Sequence, residues 1–571
     1  MTVPNTALGA AELDELLGVA DDPGNPAGLA ALSAADRADR FPAAAVDLLD
    51  RNRIFDHYVP VEYGGLLADY TETLDIVRTL ARRSLTLAVA HSKTFLGAVT
   101  VWVSADRELA QRVADAIRSG VAVSWGLTER EHGSDLLSGD MRLRRDEWGS
   151  LVVDGEKWLI NNATRGGALT MLVRSKNEGG PRGFDLVYFD KSRYGAQRPL
   201  PKELTHGIRG ADISGIRIES AVVDESDVVG HPGTGLETVL RGLQLTRTLC
   251  CALSLGAGDS AIEAAVEFAR NRTLYGRTLI ELPDARRILA EALTDQFLDE
   301  AFAFVAARSI HELPEELSVH AAAAKYLVPT RTEAMLRRLR GLVGARSVLD
   351  GDDRVLGRIE RDHRIVSIFD GNTVVNLSSL ISQFPLLTGR APLPAAAMAG
   401  CSRIGGDTTP IDHARLSLLS KRGSTALRSL AALAETTAND PATPATLAAS
   451  IAELSRITDG ELARAAAQPR TANDTPNASF VVAERLSLCI AAACAAHFWF
   501  GNHEGRDSDP LWRDGLWLAS VLRRVNGALR GDMNEFAADI DSLHDRLLTA
   551  ALESTVGGRI SVFGATKAGT A

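Results

Sequence analysis

Between Asp36 and Gly120 the apolar residues recur at three- and four-residue spacing, which predicts α-helices with one break at Val59-Pro60-Val61-Glu62-Tyr63-Gly64-Gly65. The pattern then changes character. Leu151-Val152-Val153 and Trp158-Leu159-Ile160 flank Asp154-Gly155, a pair that favours a hairpin turn. Leu169 to Val173, Leu186 to Phe189 and the alternation Ile216-Arg217-Ile218 add further short strands. Helical spacing returns from Thr234 to Leu386, in long segments such as Ala257 to Asn271 and Asp284 to Ser309 that suggest antiparallel helices of a bundle. After Gly389 a stretch rich in Pro, Gly and small residues reads as a linker. Helices resume over about 410 to 555, broken by polar stretches near Thr436 to Thr443 and Pro469 to Asn477, and the last dozen residues read as a loose tail. The expectation is a mainly α protein with a central β domain: an N-terminal helical domain (1–120), a middle β-barrel-like domain (121–230), a helical bundle (231–395) and an extra C-terminal helical domain (396–571).

One run is apolar enough to raise a membrane span. Leu486 to Phe500 is fifteen residues, short of the ~20 that cross a bilayer, so a buried or interface helix is expected instead. Composition agrees with helix: apolar residues are 45% of the 571 and aromatics 5%, with Ala and Leu prominent. A net charge of −11 opposes a phosphate backbone, which excludes nucleic acid as the natural partner. The five cysteines, Cys250, Cys251, Cys401, Cys489 and Cys494, show no CxxC spacing and read as buried, reduced thiols. The N-terminus lacks a basic region followed by an apolar one, so a cytoplasmic protein is expected. Neither HExxH nor GxGxxG occurs, which speaks against a metal site or a dinucleotide-binding βαβ unit.

Local motifs carry the chemistry. Gly126-Leu127-Thr128-Glu129-Arg130-Glu131-His132-Gly133-Ser134-Asp135 opens the strand-rich region. Backbone N–H groups and the Thr128 hydroxyl are suited to the polar edge of a flat heterocycle, and Gly133 lets Ser134 approach a diphosphate. Alone, the stretch also fits a polar loop opening a β domain. It resembles the first signature of the acyl-CoA dehydrogenase family, and four further matches follow in that family's order over about residues 40 to 390: Val59 to Gly65, Gly155 to Asn162, Arg272-Thr273-Leu274-Tyr275-Gly276, and Arg361-Asp362 with Phe369-Asp370-Gly371-Asn372-Thr373.

What the resemblance implies is specific. FAD is the cofactor, contacted by Leu127, Thr128, Gly133 and Ser134, by Leu159, Ile160 and Asn161, by Arg272 and Tyr275 across a subunit interface, by Gly344, and by Asn372 and Thr373. Ser134, Thr246, Arg247 and Gly371 lie at the acyl site, and Asp370 stands where the family has its catalytic base. An α proton of a thioester is weakly acidic, so its removal needs a positioned carboxylate and donors to the carbonyl. Family members that place the base on an earlier helix would have it at Thr246, which offers no carboxylate. Arg247 reads equally as a helix-surface charge partner; Asp370-Gly371-Asn372 also fits a plain turn, with the motif context favouring the base.

Several positions depart from the family. Asp370 replaces Glu, Leu159 stands where a flavin-shielding Trp is expected, Asn161 replaces a Thr that bonds flavin N5, Leu282-Pro283 replaces His-Gln, and the glycine-rich interface loop survives only as Gly341 to Ala345. The expected function is α,β-dehydrogenation of an acyl thioester, on coenzyme A or an acyl-carrier protein in lipid or polyketide metabolism. An electron-transfer flavoprotein is the expected partner and a homodimer the expected assembly. A flavin-dependent oxidase or monooxygenase on the same scaffold, and a non-catalytic binding paralogue, are the alternatives. The C-terminal helices resemble in size those appended to very-long-chain dehydrogenases and acyl-CoA oxidases.

Overall fold

A computed structural model describes residues 8–176, 178, 180–349, 351, 355–469, 474–531, 538–554 and 559–563. The chain forms two compact units, residues 1–249 with 411–418, and residues 250–410 with 419–571. The division falls inside one 37-residue helix, Gly235–Asn271.

In the first unit, helices Tyr70–Arg83 and Leu85–Val103 begin where side chains of Asp69 and Ser84 accept backbone N–H groups of Thr71 and Leu87, satisfying donors every helix start leaves open. The break expected at Val59 to Gly65 contains a short 3-10 turn, Val61–Tyr63, that ends on Gly64 at φ 84°. Next comes a seven-stranded sheet: β1 (Val123–Gly126), β2 (Arg142–Arg145), β3 (Leu151–Asn161), β4 (Ala168–Arg174), β5 (Phe184–Asp190), β6 (Gln197–Leu200) and β7 (Ile213–Val223). Its order is β1-β4-β2-β3-β7-β6, with β5 on β4. The strands expected over 169–173, 186–189 and 216–218 lie within β4, β5 and β7, and their inward residues, among them Leu169, Met171, Val187, Phe189, Ile216 and Ile218, build one core.

The Asp154-Gly155 hairpin is not formed. β3 runs unbroken from Leu151 to Asn161, and the register against β7 shifts between Val153 and Gly155. The extra residue lies on β7, where Glu219 and Ser220, the latter at φ 54°, stand opposite Asp154 as a bulge, and Gly155 at φ 137° continues β3 past it. The turn sits earlier, at Asp146–Ser150 between β2 and β3, where the Asp146 carboxylate accepts the backbone N–H groups of Trp148 and Ser150.

The second unit is helical. Pro283–Glu312 and Leu317–Val343 pack together, with Val355–His363 and Thr373–Ile381 against the latter. The C-terminal helices are built onto them. Asn477–Phe500 is a 24-residue helix, long and apolar enough to cross a membrane, so the fifteen-residue estimate was short. Its residues from Cys489 to Trp499 are all buried among neighbouring helices, as a core helix requires. Gly235–Asn271 passes the same length and hydropathy test and is likewise mostly buried.

Aromatic contacts of Phe304 with Phe498 and Phe563 tie the extension to Pro283–Glu312. Buried charges do so too. Asp295 meets Arg331 at 2.6 Å, Arg524 at 2.8 Å, and Arg338. Burial works against ionisation of Asp295, but the three guanidinium groups hold its carboxyl down to about 2. The loose tail is not loose throughout: Glu300 accepts from the Ser561 hydroxyl at 2.5 Å and the Val562 N–H at 2.9 Å. Residues 564–571 of that tail lie outside the described residues. All five cysteines are buried free thiols.

Candidate active site

The site residues fall into two groups, one in each unit. In the first, β1 ends at Gly126 and the chain continues beside β3: Trp158 N–H donates to the Thr128 carbonyl at 3.0 Å, and the Thr128 hydroxyl to the Trp158 carbonyl at 2.9 Å. The hydroxyl proton is thus used within the protein, leaving the oxygen as an acceptor. The loop beyond is pinned by Glu129, whose carboxylate takes the N–H groups of Asp140 (2.6 Å) and Met141 (3.1 Å) and the Lys157 ammonium (2.7 Å). Burial raises the Glu129 pKa, but the Lys157 charge, its hydrogen bond and the two backbone donors outweigh it and hold the carboxyl below its ordinary value. Gly133 and Ser134 ride exposed on this loop, and a Cβ at Gly133 would meet nothing within 4 Å.

β3 carries the most unusual residue of this unit. Leu159 has φ 55°, a left-handed conformation uncommon for a bulky side chain, and sits where the β3–β7 register shifts between Trp158 and Ile160. The bulge turns Leu159 outward, 44% exposed, while Ile160 is buried in the sheet core and offers a ligand only its backbone. Trp158 is held elsewhere, its indole N–H on Glu203 at 2.7 Å and its ring beneath Arg130 at 4.6 Å. Asn161 donates its amide to the Val89 carbonyl of Leu85–Val103 at 3.2 Å. The buried Asn161 Oδ1 has no hydrogen-bond partner among the described residues.

Thr246 and Arg247 lie on Gly235–Asn271. The Thr246 hydroxyl is buried and donates to the Leu243 carbonyl at 3.3 Å. Arg247 is 7% exposed, so it is a buried cation and the helix-surface alternative does not hold.

In the second unit, Asp370 stands at φ 54° and Gly371 at φ 90°, two successive left-handed residues after Phe369. Side chains fix this turn. The buried Lys325 ammonium donates to the carbonyls of Val366 (2.8 Å) and Gly371 (3.2 Å), and Asn376 donates to those of Gly371 (2.8 Å) and Asn372 (2.9 Å). Asn372 caps Thr373–Ile381 by accepting the Val375 N–H at 2.9 Å. The turn reading is therefore right as geometry, and the carboxylate stands on it. Asp370 Oδ2 is 3.2 Å from the thiol of Cys250, and one helical turn further Ser254 bonds His363 at 2.9 Å. Burial, then the nearby Lys325 charge, pushes the His363 imidazole down to about 3, so it is neutral.

The remaining candidates stand apart from this turn. Arg272 precedes a two-stranded hairpin, Thr273–Leu274 with Arg277–Thr278, whose turn is Tyr275-Gly276 at φ 53° and 78°. The Tyr275 ring is 95% exposed. Gly344 ends Leu317–Val343 at φ 68° in open space. Cys250, Lys325 and Asn376 were missed from the sequence, because nothing local links them to residue 370.

The comparisons with known proteins place this chain in a class of flavin-dependent oxidoreductases. The acyl-CoA dehydrogenase middle domain is matched over residues 124–221 and the acyl-CoA dehydrogenase C-terminal domain over residues 233–383. The probable acyl-CoA dehydrogenase FadE25 of Mycobacterium tuberculosis is 26% identical over 60% of this chain and 87% of its own. The acyl-CoA dehydrogenase of Bacillus anthracis complexed with FAD covers 97% of this chain at TM-score 0.72 and 16% identity, so its fold includes the C-terminal helices. The prolyl acyl carrier protein oxidase AnaB covers 61% of this chain and 92% of its own at TM-score 0.56 and 18% identity. The chain carries the middle and C-terminal domains of the acyl-CoA dehydrogenases over residues 124–221 and 233–383 and is an FAD-dependent oxidoreductase of CH–CH groups acting on acyl thioesters.

The residues present fit FAD. A buried acceptor without a partner, Asn161 Oδ1, is what a flavin ring N–H satisfies. The outward bulge at Leu159 supplies an apolar face, and the space beside Gly133 leaves backbone accessible to a phosphate.

Proposed function

We propose that Asp370 is the base that takes the α proton of the acyl thioester, its carboxylate accepting the proton as the thioester carbonyl is held by backbone N–H donors of the Asp370–Gly371 turn. Bound FAD supplies the two-electron oxidation, receiving hydride from the β carbon. The observation that carries this reading is a carboxylate on a turn of two left-handed residues that four side-chain hydrogen bonds to backbone carbonyls hold in place. The Asp370 carboxylate accepts the proton, and N–H donors on a turn already held in place would meet the developing negative charge on the carbonyl oxygen, so little reorganisation is required. Thr246 and Arg247 serve the acyl end, and the loop of Gly133 and Ser134, Leu159, the backbone of Ile160, and Asn161 hold the cofactor. Leu127, Thr128, Arg272, Tyr275, Gly344, Asn372 and Thr373 complete its contacts. The exposed Tyr275 hairpin supports a homodimer in which a second copy covers it.

The thioester is carried by coenzyme A or an acyl-carrier protein, electrons pass to an electron-transfer flavoprotein, and the protein works in the cytoplasm. The Leu159 and Asn161 departures favour a second reading, direct reaction of reduced enzyme with oxygen. The test is an anaerobic absorbance titration of FAD-loaded protein with butyryl-, isobutyryl-, octanoyl- and palmitoyl-CoA, then admission of air. Bleaching by one thioester in wild type but not in Asp370→Ala is expected. Equal bleaching in both proteins sinks the base assignment, and rapid recolouring in air selects the oxidase reading.

A further inference from the structure

We infer that Cys250 is a positioning residue for Asp370: its thiol donates a hydrogen bond to Asp370 Oδ2 and holds the carboxylate in one orientation. This rests on the reading of Asp370 as the base. The backbone of the turn is fixed by Lys325 and Asn376, but those bonds reach only carbonyl oxygens. An Asp side chain keeps a staggered χ1 and a broad χ2, so a fixed backbone does not by itself aim its two oxygens. A donor on one oxygen does. Cys250 Sγ lies 3.2 Å from Oδ2, a close approach for sulfur, and Cys250 is 4% exposed, so water does not compete freely for the bond.

The helix is anchored for this purpose at two points. Cys250 and Ser254 are four residues apart and share a face of Gly235–Asn271; the first meets Asp370 and the second meets His363, so one helical face grips both ends of the segment from 363 to 370. A thiol suits the task chemically. It is a weak, neutral donor, so it restrains a carboxylate while withdrawing less basicity than an ammonium or guanidinium would. A base one methylene shorter than the family's Glu has less reach to spare, and orientation matters correspondingly more.

Two measurements test this. Infrared difference spectra between wild type and Cys250→Ala isolate the Cys250 S–H stretch from the other four thiols. That band is expected at the lower frequency of a hydrogen-bonded thiol and to rise in Asp370→Ala. A free-thiol band unmoved in Asp370→Ala overturns the contact, whatever the activity. The second is rapid mixing of FAD-loaded protein with whichever CoA thioester bleaches wild type fastest. Cys250→Ala is expected to slow saturated bleaching about tenfold with thioester affinity unchanged, and Cys250→Ser to return it to within about threefold. Cys251→Ala, which removes a buried thiol from the next position, is expected to match wild type.

Wild-type bleaching in Cys250→Ala, or equal slowing in the Ala and Ser variants, overturns the positioning role. Should Cys250→Ala lose FAD, Cys250→Val fills the space without a donor and takes its place. Bleaching that persists in Asp370→Ala removes the base reading instead, and the infrared result distinguishes that outcome from failure of the contact.

Discussion

Leu159 and Asp370 both hold left-handed backbone at φ 55° and 54°, yet they are held by different means. Leu159 is placed by a sheet: β7 pairs on either side of it, the register slips by one residue, and the side chain is expelled outward. Asp370 is placed by side chains from three helices, Cys250, Lys325 and Asn376, each aimed at one short turn. A ladder of backbone bonds tolerates most substitutions. A turn built on a few long-range side chains is weakened by the loss of each.

The largest break is expected at Asp370 itself. Asp370→Ala should lower thioester-driven bleaching by on the order of 10³-fold, the usual range for a general base, with FAD content unchanged. Next, Lys325→Met strips the turn of its ammonium. Two carbonyls lose a buried donor, and a stability loss of about 3 kcal/mol is expected by denaturant titration, with slower bleaching.

Acid should separate the two regions. His363 sits at about 3 when folded, below its ordinary value near 6.5, so the unfolded chain binds a proton the folded chain lacks. Its contribution is complete above pH ~6.5 and is lost as pH falls towards about 3. The Glu129 carboxyl is also held low, so its pair with Lys157 gives way only below its ordinary value of 4.5. Hydrogen-exchange protection factors, corrected for the intrinsic rate at each pH, should therefore fall at pH 5 over residues 363–376 and stay close to their pH 7 values over 127–161. The smallest effect is expected at the bulge: Leu159→Gly removes the left-handed penalty and should raise stability by about 1 kcal/mol in thermal melts. A loss there would mean that Leu159 packs in the folded chain.

Much of the fold was legible because its signals are local. The Leu169, Leu186 and Ile216 stretches became strands on account of their alternating or β-branched content, and the long helices followed from apolar spacing. The motif at Gly126–Asp135 identified the loop that Glu129 and Lys157 tie down. Asp154-Gly155 was misread since a turn pair can also run through a continuous strand, and only the partner strand, which bulges opposite it, decides between the two. Arg247 was readable as a surface charge until the packing around its helix buried it.

By itself, then, the sequence determined the family, the helix–sheet–helix order and a carboxylate at position 370, since each is written in neighbouring residues. Tertiary structure alone decided that Leu159 faces outward, that Asn161 Oδ1 is left without a partner among the described residues, and that Cys250 reaches Asp370 across 120 residues of chain. Such contacts depend on register and helix packing, which bring together side chains whose separation along the chain carries no signal.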